Sequence, residues 1–150
     1  MVSQYINKIL IRDLNQLKKE LSAIDDRLLW STQEGIINSC GTLARHICGN
    51  LRHFIGYQIG EIPYKRDIED EFSGPPVDKS VLLENIDQTI DTLTKVFRDL
   101  DEKKLNQKMP DPPPHHSGCT IGFFLIQLCC HFSRHWGQFN YLRRINEGSY

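Results

Sequence analysis

The chain has 150 residues, 39% hydrophobic and 25% charged, with a formal net charge of −1; these values suit one soluble domain, residues 1–150, with a sizeable core. A balance so near neutral argues against a nucleic-acid footprint, which needs a basic excess, and against a polybasic membrane patch, and no apolar run approaches the ~20 residues of a membrane span. Residues 1–20 carry an amphipathic helix pattern instead of the uninterrupted apolar region of a signal peptide, so a cytoplasmic location is expected.

Apolar periodicity predicts four helices. The first covers about residues 3–24, where Leu10, Leu14, Leu17, Leu21 and Ile24 advance by alternating steps of four and three. The second, about residues 36–59, shows its apolar side at Ile36, Cys40, Leu43, Ile47 and Phe54. The third, about residues 79–100, repeats the stepping at Leu83, Ile86, Ile90, Leu93, Phe97 and Leu100. The fourth covers about residues 120–146, with Gly148 beyond it as a stop signal. Stripes of this kind are the seams of an all-α four-helix bundle.

The connections differ in character. Residues 60–78 join helices two and three and carry Pro63, Gly74, Pro75 and Pro76. Long ordered loops are often functional, and this one is long enough to cross the bundle end to end, so that helices two and three run parallel. The PDPPP run from Pro110 to Pro114 stops helix three and leads into His115 and His116, which read as solvated loop residues. The five cysteines, Cys40, Cys48, Cys119, Cys129 and Cys130, are odd in number and form no CxxC pair, so they read as small apolar residues in a reducing compartment.

Helix four carries the chemistry. Its expected inward stripe is Phe124, Leu128, His131, His135, Gln138, Leu142 and Ile145. Burying an imidazole or amide without a partner costs about 1–3 kcal/mol, so something must satisfy these groups. His131 and His135 are an i, i+4 pair, stacked on one helix face and able to converge on one ion. Helix two presents His46 between Leu43 and Ile47, with Asn50 one turn later. Three histidines complete the ligand count of many catalytic zinc sites, which keep an open position. His53, two turns beyond His46, is the rival third ligand. Imidazole donors alone suit zinc, nickel, cobalt or ferrous iron without choosing among them. Asn50 and Gln138 are placed to hydrogen-bond a substrate, to steady a ligand, or to make polar contacts from helix to helix. In the long connection Asp67, Glu69, Asp70 and Glu71 read as a solvated acidic cluster, and a hydrolytic site would look there for its general base.

The segment LARHICGNLRHFIG, followed far downstream by HFSRHWGQFNYLRR, resembles the DinB-like superfamily, whose pattern is a histidine in helix two and HxxxH, a small residue and Gln in helix four. Here these are His46, then His131 and His135, then Gly137 and Gln138, and the similarity in order and spacing covers nearly the whole chain. KRDIEDEF, residues 65–72, is also similar to a loop in one branch of that superfamily. The resemblance implies an up-down-down-up bundle holding one divalent metal ion on His46, His131 and His135. Its better-understood members are bacillithiol S-transferases and mycothiol-dependent isomerases, in which the metal binds or activates the sulfur of a low-molecular-weight thiol. It therefore implies a thiol S-transferase acting on a small thiol and an electrophile, and a homodimer, as is common among relatives. A metal-dependent hydrolase, or a non-catalytic metal-stabilised bundle that binds a ligand or partner, is the alternative.

Overall fold

The leucine stripe of the first helix is the spine of the core. In the computed structural model, which describes residues 1–148, helix α1 spans Val2–Ala23 and buries Leu10, Leu14, Leu17 and Leu21 completely. Helix α2 (Cys40–Leu51) starts at Ser39, whose Oγ accepts the Thr42 amide proton and satisfies one of the orphan donors of the first turn. The sequence-based start at Ile36 is therefore too early. Ile36 lies in a turn closed by Gly35 at φ 76° and is 43% exposed, so it does not belong to the apolar side of the helix.

The α2 helix continues unbroken as a π-helix over Arg52–Ile59. The crossover follows and carries a short helix α3 (Ile68–Ser73). Helix α4 spans Lys79–Asp99, the one-turn helix α5 spans Glu102–Leu105, and a 3₁₀ turn at Pro114–His116 precedes helix α6 (Ile121–Glu147). Thr120 caps α6 by accepting from the Phe123 amide, and Gly148, at φ 69°, ends it in the left-handed conformation that glycine adopts without strain.

Interhelical contacts fix the directions of the helices. Lys18 near the end of α1 pairs with Asp87 near the start of α4 at 2.6 Å, so these helices run antiparallel. Glu20 accepts hydrogen bonds from Trp136, Asn140 and Arg143 in the second half of α6, so α1 and α6 run parallel. Arg52 bonds Gln88 at 3.1 Å, while Gly56 and Gly60 face Thr92 and Val96 in turn, so α2 and α4 run parallel. Phe54 meets Phe124 near the start of α6, whereas Cys40 lies against the Phe139 carbonyl further along, which makes α2 and α6 antiparallel. The topology is up-down-down-up, and residues 60–78 make the end-to-end crossing that parallel α2 and α4 require.

The crossover lies across α2. Arg45 is buried on α2, stacks over the Trp30 ring and donates to the carbonyls of Asp70 and Pro75, both at 2.7 Å. The Trp30 indole donates to Val77 at 3.0 Å, and a Cβ on Gly41 would run into that indole at 2.8 Å. Covered by the crossover as well as by α4 and α6, every residue of Cys40–Leu51 is buried.

Glu20 is the polar lock between α1 and α6, with its side chain 15% exposed. Replacing it by Ala orphans the indole and amide donors as well as its ion pair. Urea denaturation of Glu20→Ala is expected to show a loss of about 1–3 kcal/mol; a loss below ~0.5 kcal/mol would class the cluster with ordinary surface ion pairs.

Candidate metal centre

His46, on the α2 face turned towards α6, meets His131 and His135 one turn apart on α6. The Nε2 atoms of His46 and His131 are 3.0 Å apart. One ring nitrogen from each of the three histidines falls within 4.8 Å of the others. The rings stand edge-on, with centroids 4.4 to 5.2 Å apart. Two imidazole nitrogens that share an ion at about 2.0–2.1 Å stand roughly 3 Å apart, so the separation of His46 and His131 already suits a common ion.

Each outer histidine is held from behind. Glu71 accepts the His46 Nδ1 proton at 3.0 Å, which leaves Nε2 with its lone pair facing inward. Gln138 Oε1 accepts the His135 Nδ1 proton at 2.7 Å, with the same effect on that ring. Glu71 is only 4% exposed and is gripped at both oxygens by Arg66, at 2.7 and 2.8 Å. Burial alone would raise its carboxyl, but the bonds from Arg66 and His46 outweigh burial and hold it below the ordinary value. Gly49 makes room for it, since a Cβ there would collide with the Glu71 carboxylate. A histidine bonded to a carboxylate through its outer nitrogen is the arrangement that fixes tautomer and ring orientation in metal sites. Phe72 adds a ring contact to His46 at 4.6 Å.

The two histidines of α6 are held towards the neutral form. Burial pushes His131 down from 6.5 to about 4, with the neighbouring His135 and His46 adding to the shift. Burial likewise lowers His135, although the Gln138 bond opposes it. Three convergent imidazoles, two with their inner lone pairs fixed by a partner, match the chemistry of a borderline divalent cation.

Several sequence expectations are revised by this geometry. Gln138 and Ile145 lie on the solvent side of α6, and its core stripe is Ile121, Phe124, Leu125, Leu128, Phe132, Phe139 and Leu142. Gln138 thus serves His135 from outside the core. His53 is not in the cluster: it belongs to the π-helix, whose wider turn changes the register after Leu51, and it stacks on Tyr57 and meets Phe54 edge-on while contacting Gln58. The acidic cluster divides. Asp67 caps α3 through the Asp70 amide and stays exposed with Glu69 and Asp70, whereas Glu71 turns inward. His115 and His116 stay outside the cluster but line, with His131 and Asn50, a cavity of about 410 Å³. The inward role of Glu71 had one signal in the sequence, the Arg66–Glu71 spacing beside a Gly49 facing the crossover, and that spacing marks no motif alone.

Two measurements check this account. Zinc titration calorimetry of Glu71→Gln is expected to show affinity lowered about 10–100-fold, with Gly49→Ala shifting it the same way by displacing the carboxylate; wild-type affinity in both would remove Glu71 from any positioning role. The acid response follows from His131. Because folding lowers its pKa from 6.5 to about 4, the unfolded chain binds that proton first as the pH falls, and stability must drop with pH between these values. Melting curves of the metal-free protein across that window are expected to fall less steeply in His131→Asn than in the wild type.

A sequence model described as the DinB superfamily matches residues 9–139. No curated protein and no solved structure matches the chain. With a match over most of its length and an all-helical bundle around it, the chain belongs to the DinB superfamily.

Proposed function

We propose that the chain is a metal-dependent thiol S-transferase. The observation that carries this reading is the meeting of three imidazoles, from His46, His131 and His135, beside a cavity that His131 itself lines. A divalent ion held by them would supply Lewis acidity, favouring the thiolate form of a small thiol at neutral pH. His46 would be the most rigidly oriented ligand, fixed by Glu71 and Arg66, and His135 would be oriented by Gln138. His131 and His135 are half-buried, so the site has an open side as a catalytic centre requires, where a purely structural one would be closed.

This reading takes the reacting thiol from a small molecule. Burial pushes the Cys40 thiol up to about 12 and those of Cys48 and Cys129 up to about 11, so all three are held protonated. Hydrolysis is the weaker reading, because Glu71, the one acidic side chain among the described residues that bonds a histidine of the cluster, is already committed to Arg66 and His46.

The test has two parts. Protein purified without a nickel column is expected to carry about one equivalent of divalent ion, retained in His53→Ala and lost in His131→Ala. Depletion of small cytosolic thiols by chlorodinitrobenzene is then followed with metal-loaded protein, chelated protein and His135→Ala. Turnover is expected only in the first; equal rates in all three reject the transferase. Thiol-independent cleavage of esters or amides by the loaded protein would favour a hydrolase, and metal binding without turnover a ligand-binding bundle.

A further inference from the structure

The cavity beside the histidines has a composition of its own. It is bounded by α2 at Asn50 and Phe54, by α6 from Phe124 to Arg134, and by the turn at Pro113–His116. Its volume of about 410 Å³ is that of a site for a small metabolite. The chain has 19 acidic residues, yet no carboxylate lines this cavity among the described residues. Its formal charge comes from Arg134, which makes no hydrogen bond or ion pair with any described residue.

The neutral polar groups on the wall are equally unused. Asn50 is only 7% exposed, and its amide makes no hydrogen bond with any described residue while lining the cavity. Gln127, half-buried, has none either. Among the described residues the rings of His115 and His116 make only aromatic contacts, with each other at 4.2 Å and from His116 to Phe124 at 5.7 Å and to Phe123 at 6.0 Å. Unsatisfied donors, an unpaired guanidinium and an apolar floor of Phe54, Phe124 and Leu128 thus face one space. A cavity lined by one sign of charge concentrates ligands of the other, and a guanidinium offers a carboxylate two parallel donors.

We infer that this cavity binds a small organic carboxylate, its acid group on Arg134 with help from the Asn50 and Gln127 amides and its apolar part on Phe54 and Phe124. The inference extends the transferase reading by naming the class of substrate that the histidine site receives: a thiol or electrophile bearing an acid group. A neutral analogue would leave the Arg134 charge and the Asn50 amide unanswered.

The test uses acid and alcohol pairs that differ only in the charged group. Zinc-loaded protein is titrated with 3-mercaptopropionate and 3-mercapto-1-propanol, and chelated protein with 4-phenylbutyrate and 4-phenyl-1-butanol, by calorimetry. The acid of each pair is expected to bind about tenfold tighter, the effect of one charge-assisted contact, and rising salt should erode that preference. In Arg134→Gln, whose partnerless side chain makes unaltered melting the expected control, the preference should fall to within about twofold while the alcohols bind as before; Arg134→Lys should keep part of it. Equal binding of acid and alcohol in both pairs by the wild type, or an acid preference that survives Arg134→Gln, overturns the inference. If only the thiol-free pair discriminates and 3-mercaptopropionate binds zinc-loaded protein no better than its S-methyl ether, the carboxylate site stands and the thiol reading falls.

Discussion

The carboxylate of Glu71 is the constraint on which the rest of the site depends. A carboxylate enters a protein interior only when its lost hydration is replaced by opposite charge and hydrogen bonds. Arg66 supplies the charge from five residues upstream, His46 supplies a further donor, and the missing Cβ of Gly49 supplies the space. Because the crossover brings Glu71 and Arg66 while α2 brings His46 and Gly49, the loop docks and the imidazole is oriented in a single event. Arg45 and Trp30 fasten the same loop at its far side, so the connection behaves as an ordered layer of the fold.

The bundle was legible because a helix packed on one side must repeat its apolar residues every three to four positions, as α1 does at Leu10, Leu14, Leu17 and Leu21. Helix α2 was harder to delimit. It is buried all round, so its periodicity carries little information about its ends, and its true start rests on the Ser39 cap. In α6 periodicity alone does not separate the histidine seam from the core seam. The two run side by side, and the buried rings Phe132 and Phe139 show that the core lies to one side of His131 and His135. The three histidines could be gathered from spacing alone because helical geometry converts i, i+4 into proximity. Glu71 could not, since its burial depends on a contact with His46, 25 residues away.

The electrostatics of the two sides of the histidine cluster are opposite. Behind it lies the Arg66–Glu71 pair, closed and internally compensated. In front lies a carboxylate-free space with a guanidinium and amides that no described residue answers. Polar groups in a folded protein are normally paired, so this contrast separates groups that serve the fold from groups left over by it. Asn50 belongs to the second kind despite its deep burial on a helix that is otherwise tightly packed.

The end-to-end crossover also divides the molecule into separable tasks. Helices α2 and α6, whose packing the core dictates, provide all three imidazoles, while the loop provides only the group behind one of them. Drift in the loop would therefore retune the basicity and stiffness of His46 without altering which atoms converge, whereas drift in the bundle would threaten the fold itself. A scaffold divided in this way lets natural selection vary reactivity in a segment whose changes the core does not register.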